Sequence, residues 1–288
     1  MILQGENQQN RKERQPGKHD VSHAQAVKQL LDDGMEVIAT DLSTDLVDKR
    51  AKHISCDLFT IKEPYDYFEQ PDVVLHMAWR DGFVHNSNNH IIDLPKHHGF
   101  LLKLFKSNVK SVAVMGTMHE IGFYEGSIDE ETACKPMSLY GISKNALRQD
   151  VEYLAESCNK EYKWLRGYYI VANTSYGCSI FSKLYKAATE EKKNVFPFTT
   201  GMNQFDFIDY EDFCLQVASC IEQDEVNGII NICTGHPEKL ADRVERFIKE
   251  NKLKIKLQYG AFPDRAYDSK AVWGNDNKIK TILAKRDK

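Results

Sequence analysis

Two residues one helical turn apart, Tyr140 and Lys144, form the strongest chemical pattern in this sequence. They lie in the segment SLYGISK, and residues four apart share one face of a helix. An ammonium group there stabilises the ionised form of the phenol, which could then exchange a proton with a hydroxyl or carbonyl group near neutral pH. The spacing is weak evidence by itself, because a chain with this many tyrosines holds about one such pair by chance. The structural alternative is a surface lysine beside a partly buried tyrosine.

A third candidate, Thr117, ends the apolar segment SVAVMGT that precedes this pair in the chain. Parallel sheets place reactive groups at the C-terminal ends of their strands. A hydroxyl group there could hydrogen-bond the substrate oxygen that Tyr140 protonates. The alternative for Thr117 is a turn residue that bonds its own backbone.

These residues need a scaffold, and strand and helix patterns alternate from residue 20 onward. Apolar segments of strand length recur as MEVIATD, HISCDL, PDVVLHMAW, KSVAVMGT and YKWLRGYYIV. Between them lie segments with apolar residues at helical spacing: AQAVKQLLDD, DLPKHHGFLLKLFKS and SLYGISKNALRQDVEYLAES. Repeated strand–helix–strand order implies right-handed crossovers, and therefore an α/β, doubly wound parallel sheet with helices on both faces.

The alternation becomes less regular after residue 172. Helices are predicted in SIFSKLYKAATEEKK and EKLADRVERFIKENK, a strand in GIINICTG, and short strands followed by a helix in NVFPFTTGMNQFDFIDYEDFCLQVASCIEQ. We therefore expect an α/β domain over residues 1–172 and a smaller C-terminal α/β lobe over residues 173–288. Some strands of the lobe should return to the first domain.

Composition narrows the class of protein. The net charge of −4 gives no electrostatic basis for binding a nucleic acid polymer or a membrane surface. No apolar run is long enough to span a membrane, and the polar N-terminus lacks a signal-peptide core. The seven cysteines are scattered without CxxC spacing, so we predict no metal site and a cytoplasmic location with reduced thiols.

Six segments in order resemble one family: EVIATD, CDL, VLHMAW, VAVMGTMHEIG, YGISK and DFIDYEDF. Together, over residues 24 to 285, they are similar to the extended short-chain dehydrogenases/reductases, the NAD-dependent epimerase/dehydratase group, which mostly acts on nucleotide-linked sugars. The resemblance implies a Rossmann-like dinucleotide-binding domain over residues 1–172 and a substrate-binding lobe over residues 173–288. It also implies that Tyr140 is the acid/base and that Lys144 also binds the nicotinamide ribose. Thr117 would orient the substrate oxygen. The family typically dimerises through two helices, which leaves a homodimer as one expected state.

The cofactor prediction starts from Asp41, which ends a strand where an acidic group can accept bonds from an adenosine ribose. No arginine follows in the next three residues to hold a 2′-phosphate, which favours NAD over NADP. The resemblance implies that Asp57 and Leu58 lie near the adenine and that His76 and Ala78 line the dinucleotide. For the two aspartates the alternative is a loop carboxylate at a strand end.

The glycine-rich phosphate loop of the family departs from its usual pattern here. Counting back from Asp41, its glycines should fall at positions 17, 20 and 23, and only Gly17 matches. Asp20 and His23 would crowd the pyrophosphate, and the aspartate would repel it. Two hypotheses follow: either MILQG is the first strand and residues 6–20 are a rebuilt loop, or the loop has been lost and the dinucleotide binds weakly or not at all.

The reaction that the resemblance implies is a redox step at carbon 4 of a nucleotide-linked sugar. Dehydratases of the family carry Thr-Asp-Glu where this chain has Thr117, Met118 and His119, so 4,6-dehydration is disfavoured. We favour 4-keto reduction or 4-hydroxyl oxidation. Epimerisation is the second hypothesis, and a non-catalytic binding module of the same fold is the third.

Two further residues are predicted to bind substrate. The segment YGAFPDRAYDS resembles the family segment whose arginine grips the nucleotide diphosphate, which implies this role for Arg265. His119 is the other candidate, and a polar loop histidine is its alternative. The segment WRDGFVHNSNNH follows a strand end and should shape the substrate pocket, although Trp79 in it could equally be a packing residue.

Overall fold

The computed structural model describes residues 21–45, 47–175, 177–263 and 269–286. Its helices are α1 (Val21–Asp32), α2 (Pro64–Tyr67), α3 (Asn89–Ile92), α4 (Leu94–Phe105), α5 (Leu139–Cys158), α6 (Ile180–Thr189), α7 (Tyr210–Glu222), α8 (Leu240–Glu250) and α9 (Asn277–Arg286). Within these ranges no helix is both long and apolar enough to cross a membrane.

The strands are β1 (Ile38–Asp41), β2 (Lys52–Ser55), β3 (Val73–His76), β4 (Ser111–Thr117), β5 (Gly126–Ile128), β6 (Glu161–Gly167), β7 (Tyr169–Val171), β8 (Val195–Pro197), β9 (Gln204–Asp209), β10 (Gly228–Ile232), β11 (Pro237–Lys239), β12 (Lys256–Gln258) and β13 (Ala271–Gly274). Short 3-10 turns follow β2 and β4, at Leu58–Thr60 and Met118–Glu120.

The central sheet is parallel, as predicted. Its order is β10–β6–β4–β3, and β1 and β2 form a separate parallel pair. Successive side chains of each strand point to opposite faces: Val74 packs in one apolar cluster and Leu75 in the other, and Trp164 and Leu165 divide in the same way. Both faces are therefore buried, which explains why the predicted strands are apolar throughout.

Helices cover both faces of this sheet. Residues of α1, α7 and α9 form one apolar cluster with the strands, and residues of α4 and α5 form the other. This arrangement confirms the α/β, doubly wound fold class. The chain thus places α5 directly against β4 and β6, with its first turn at the C-terminal ends of these strands.

The second half of the chain adds strands to a second sheet and one strand to the first. β10 pairs with β6 in the central sheet, whereas β11, β9, β13 and β5 pair in that order and β7 lies beside β9. The sequence analysis missed β5, β11, β12, β13 and the helices α2, α3 and α9, and it predicted one strand in YKWLRGYYIV where the structure has β6 and β7 in different sheets. Strands of three or four residues carry too little local periodicity to be recognised, and they form here through partners far away in the chain.

A buried carboxylate, Asp206 of β9, ties this second sheet to the end of the central one. It accepts hydrogen bonds from the backbone N–H groups of Thr234 (2.8 Å), Gly235 (2.9 Å) and Gly274 (3.1 Å), and from the Thr234 hydroxyl (2.6 Å). Thr234 and Gly235 follow β10, and Gly274 ends β13. One side chain of β9 thereby accepts hydrogen bonds from donors on two other segments, the residues after β10 and the end of β13.

We expect Asp206→Ala to lower the free energy of unfolding by about 3 kcal/mol or more, because it leaves several buried donors without an acceptor. Asp206→Asn should cost less, since it retains one oxygen. Urea titrations of both variants would test this, with the exposed Glu36→Ala as control. An Asp206→Ala protein as stable as the control would contradict the role of this carboxylate.

Candidate active site at the C-terminal end of strand β4

Thr117 is the last residue of β4 and is buried. Its hydroxyl oxygen accepts a hydrogen bond from the backbone N–H of His119 at 3.3 Å, which caps the 3-10 turn Met118–Glu120. The hydroxyl therefore bonds its own turn, as the structural alternative proposed. Because the oxygen acts as acceptor in that bond, the hydroxyl proton is still available for donation to a ligand.

Tyr140 and Lys144 lie in the first two turns of α5, as the spacing predicted. The helix begins after Ser138, whose hydroxyl oxygen accepts from the N–H of Gly141 at 3.2 Å. Gly141 lies so close to the turn after β4 that a Cβ atom there would stand 2.3 Å from the carbonyl oxygen of His119. This close approach brings the first turn of α5 onto the segment that carries Thr117.

The amine of Lys144 is buried against β4. Its Nζ atom donates to the carbonyl oxygen of Met115 at 2.8 Å and lies 4.0 Å from the centre of the Trp79 ring. Burial lowers the pKa of Lys144 to about 7, and the charge of Glu120 partly opposes this shift. The amine therefore changes its charge near neutral pH while an indole face and a carbonyl group stabilise its ammonium form.

Aromatic and imidazole rings surround Tyr140. The His85 ring is stacked on it, with centroids 5.4 Å apart and planes at 18°, and the rings of His90, His119 and Trp79 have centroids at 5.4, 6.0 and 6.1 Å. Burial lowers the pKa of His119 to about 4, and it also lowers the pKa values of His85 and His90. These imidazoles are therefore neutral at pH 7 and can act as hydrogen-bonding groups for uncharged ligand oxygens.

Trp79 is held in place by histidines and packs as a buried residue. Its indole N–H donates to Nδ1 of His90 at 3.0 Å, and its ring is stacked on His97 at 4.8 Å. Because Nδ1 of His90 accepts this bond, its other nitrogen must carry the proton that bonds the carbonyl oxygen of Val84 at 3.0 Å. This pair of bonds defines the neutral tautomer of His90.

A buried ion pair that the sequence analysis missed anchors the turn after β4. Glu120 accepts from Nε of Arg166 at 2.5 Å and from the indole N–H of Trp164 at 3.0 Å, and the side chains of Glu120 and Arg166 are both inaccessible to solvent. The pattern that could have revealed it is Arg166 inside an otherwise apolar strand segment, since a buried charge requires a partner. The pair fixes the turn that carries Thr117 and His119.

The predicted cofactor residues lie at the ends of neighbouring parallel strands. Asp41 ends β1, and its Oδ1 atom accepts from the N–H of Leu42 at 2.5 Å. Asp57 follows β2 and caps the 3-10 turn Leu58–Thr60 through the N–H of Phe59 at 3.1 Å. The structure thus places both carboxylates at the same end of the β1–β2 pair, although each also accepts a hydrogen bond from a nearby backbone N–H group.

Three other predicted cofactor residues have side chains in the core. Leu58 and Ala78 belong to the apolar cluster beneath α4 and α5. His76 ends β3, and its Nε2 lies 2.8 Å from Nδ1 of buried His97. Burial lowers the pKa of His76 to about 3, so this imidazole is neutral. Any contact of these residues with a dinucleotide would have to come mainly from their backbone atoms.

Two predicted residues, Gly17 and Arg265, lie outside the described residues, as does Asp20. Of the remaining candidates, the structure brings together at the end of β4 Thr117, His119, Tyr140 and Lys144. The others lie at or just after the ends of β1 and β2 (Asp41, Asp57, Leu58) and of β3 (His76, Ala78). Among the described side chains, no group of three or more histidines, cysteines and acidic residues is arranged to hold a metal ion.

Comparison with known proteins identifies a relative of similar length. A curated protein of Aggregatibacter actinomycetemcomitans, dTDP-6-deoxy-L-talose 4-dehydrogenase (NAD(+)), is 38% identical over 259 residues, which cover 86% of this chain and 93% of the relative. Several solved structures share the fold at much lower sequence identity.

Two of these structures match nearly the whole chain. UDP-N-acetylglucosamine 4-epimerase from Methanobrevibacter ruminantium, in complex with UDP-N-acetylmuramic acid, has a TM-score of 0.78 and 17% identity over 98% of this chain and 90% of its own. UDP-glucuronic acid 4-epimerase from Bacillus cereus, in complex with UDP-glucuronic acid and NAD, has a TM-score of 0.77 and 17% identity, and the match covers 98% of this chain and 92% of its own. At this identity the likeness concerns the fold.

The family comparison agrees with the resemblance carried by the sequence motifs. The family model for the NAD dependent epimerase/dehydratase family matches residues 24–233, which contain all of the residues assembled at the end of β4. Because the family model matches most of its length, and because a relative that it covers almost completely is 38% identical, this chain belongs to the NAD dependent epimerase/dehydratase family.

Proposed function

We propose that this protein is an NAD-dependent oxidoreductase that oxidises the 4-hydroxyl group, or reduces the 4-keto group, of a nucleotide-linked sugar. The observation that carries the proposal is the 38% identity to dTDP-6-deoxy-L-talose 4-dehydrogenase (NAD(+)), which extends over 86% of this chain. The grouping of Thr117, Tyr140 and Lys144 at one strand end supports it, because such a step needs a proton acceptor and groups that orient the sugar oxygen.

Each of the three residues has a distinct role in the oxidation direction. Tyr140 accepts the proton of the sugar hydroxyl group, and Thr117 donates a hydrogen bond to the same oxygen. Lys144 stabilises the ionised phenol as long as its amine is charged. The low pKa of this amine means that its charge varies within the neutral pH range, where the reaction would take place.

The described residues include one candidate group for each ribose of NAD. Asp41 stands at a strand end where it can accept hydrogen bonds from a ribose, and the following Leu42, Ser43 and Thr44 include no arginine for a 2′-phosphate. Lys144 lies beside Tyr140, where it would bind the second ribose. When bound, NAD supplies the hydride acceptor. The roles of Gly17, Asp57, Leu58, His76 and Ala78 toward the dinucleotide remain predictions.

The substrate side of the proposal is a nucleotide diphosphate sugar. His119 and the loop between β3 and α3 surround Tyr140 with neutral imidazoles and aromatic rings, which suits a sugar with hydroxyl groups and a deoxygenated carbon. Arg265 as the diphosphate ligand, and a homodimer as the assembly, remain predictions. All seven cysteines are free of disulfide bonds, which supports a cytoplasmic location.

A substrate panel tests the proposed reaction. Nucleotide-linked 6-deoxy sugars with dTDP or UDP would be incubated with NAD, and NADH would be followed by its absorbance. We expect NADH to form with at least one sugar. A sugar inverted at carbon 4 without net NADH would favour the epimerase hypothesis. Calorimetry that detects no NAD binding would favour the non-catalytic module.

The acid/base role of Tyr140 predicts that Tyr140→Phe lowers kcat by about 100-fold to 10,000-fold, the usual contribution of a positioned proton-transfer group. The melting temperature should change little, because the ring and its packing are retained. Tyr153→Phe on the exposed face of the same helix is the matched control and should keep full activity. Equal activity of the two variants would contradict the role.

The ribose role of Asp41 predicts that Asp41→Asn lowers kcat/KM for NAD by about tenfold, because an amide is a weaker acceptor than a carboxylate. The loss with NADP should be smaller, since a 2′-phosphate is no longer repelled. Steady-state kinetics with both cofactors measures the ratio. Asp45→Asn, an exposed position in the same segment, is the control. An unchanged NAD to NADP ratio would argue against this ribose contact.

The buried amine predicts a stability effect that depends on pH. The folded protein holds the Lys144 pKa at about 7, against an ordinary value of 10.5, so between these values it binds fewer protons than the unfolded chain. Burial of this amine therefore destabilises the folded protein most at pH 7 and below. The destabilisation decreases as the pH rises toward 10.5. We expect Lys144→Met to melt at a higher temperature than the unmodified protein at pH 7, with a gain that shrinks toward pH 10.

Thermal melts at several pH values between 7 and 10 measure this difference. Lys106→Met, at an exposed position after α4, serves as the control and should show no such trend. A gain for Lys144→Met that is constant across pH would show that packing, and not the charge, is responsible.

A further inference from the structure

The first turn of α5 is capped from outside by another segment. The first N–H groups of a helix have no partner within it. For α5, Oδ1 of Asn86 accepts from the N–H of Leu139 at 3.3 Å, and the carbonyl oxygen of His85 accepts from the N–H of Tyr140 at 2.8 Å. Only the N–H of Gly141 is capped locally, by Ser138. The loop after β3 therefore holds the backbone of Tyr140 itself.

This capping loop, residues 79–88, is a folded unit. Asp81 has a left-handed backbone with φ of 59°, and its Oδ2 atom accepts from the Ser87 hydroxyl and the Asn89 amide, both at 2.7 Å. Within the loop, the N–H of Val84 bonds the carbonyl oxygen of Asp81 at 2.7 Å, and the N–H of Ser87 bonds that of Val84 at 2.8 Å. The two acceptors that face α5 thus have defined positions.

The same loop also confines the Tyr140 side chain. The His85 ring is stacked on the phenol ring, while His119 lies 4.7 Å from His85 and 6.0 Å from Tyr140. His119 belongs to the turn after β4, and its carbonyl oxygen lies close against Gly141 of α5. Tyr140 is therefore held through its backbone by the capping loop and through its ring by both segments.

Charge gives Asn86 a significance beyond capping. Tyr140 is the second residue of α5, where the positive end of the helix dipole favours a phenolate, and the first turn contains no acidic residue. Asn86 satisfies a helix N–H group without adding a negative charge near the phenol. The imidazole rings that contact Tyr140 belong to His85, His90 and His119, and Lys144 lies one turn further along its own helix. The three histidines have lowered pKa values and add no charge at pH 7.

We propose that Asn86 is a positioning residue for the proposed reaction: from the capping loop it caps the N–H of Leu139, the residue before Tyr140, with a neutral acceptor, and so contributes to the position of Tyr140 and to how readily its phenol ionises. The proposal rests on the proposed function for its kinetic consequence. Its structural consequence, the ionisation of Tyr140, can be measured without any substrate.

The experiment compares Asn86→Leu and Asn86→Asp with Asn88→Leu. Asn88 is an exposed asparagine of the same loop whose side chain caps no helix, so it is the matched control. Two measurements are made on each protein: steady-state kinetics with NAD and the substrate found above, and a carbon-13 NMR titration of the phenol carbon with labelled tyrosine. Comparison with Tyr140→Phe assigns the signal.

We expect Asn86→Leu to lower kcat about fivefold, as the loss of a helix cap would predict, with KM changed little. Asn86→Asp keeps an acceptor but adds a charge. We expect it to move the Tyr140 titration, and the rising limb of the kcat–pH profile, upward by about half a pH unit. Asn88→Leu should change neither.

The proposal is overturned if Asn86→Leu and Asn86→Asp match Asn88→Leu in kcat and in the titration of Tyr140. It is also overturned if kcat falls only in proportion to the folded fraction seen in a melt while the titration stays unchanged, because Asn86 would then be a structural cap alone. If no substrate is turned over but Asn86→Asp still shifts the titration, the proposed function fails and the positioning of Tyr140 by Asn86 stands.

Discussion

The buried amine of Lys144 is the constraint on which the geometry of the site depends. Its bond to the Met115 carbonyl oxygen joins the second turn of α5 to the end of β4, and the ring of Trp79, in the loop after β3, lies over the amine. A buried amine is unfavourable unless it has partners, so the chain must hold the strand, the helix and the indole in one arrangement. That arrangement brings Thr117 and Tyr140 to the same strand end.

The position of Tyr140 depends on two anchored segments from separate parts of the chain. The buried ion pair of Glu120 and Arg166 anchors the turn after β4. In the loop after β3, the Asp81 carboxylate accepts hydrogen bonds from Ser87 and Asn89. Neither segment belongs to α5, yet both contact its first turn. The proton-transfer role proposed for Tyr140 would need placement within a fraction of an ångström, and anchors in separate parts of the chain supply it better than one flexible contact.

Stability and function make opposite demands on these residues. Lys144, His76 and His119 are polar groups whose pKa values are all lowered by burial, and an apolar core would be more stable without them. Elsewhere, Asp206 accepts hydrogen bonds from donors on two segments and joins the second sheet to the end of β10. Favourable polar burial of this kind helps to offset the unfavourable burial at the site, so that the whole chain remains folded.

The sequence by itself determined the alternation of strands and helices, the parallel sheet, and the one-turn spacing of Tyr140 and Lys144, because periodicity and helical spacing are local properties of a chain. It also placed Thr117 at a strand end and revealed the family through ordered motifs. Only the tertiary structure decided that Trp79 lies over the amine of Lys144 and that Glu120 pairs with Arg166. It also decided that Asn86 caps α5 and that His76 contacts His97. These contacts join residues far apart in the chain, so no local pattern records them, and they exist only once the strands have paired and the helices have packed.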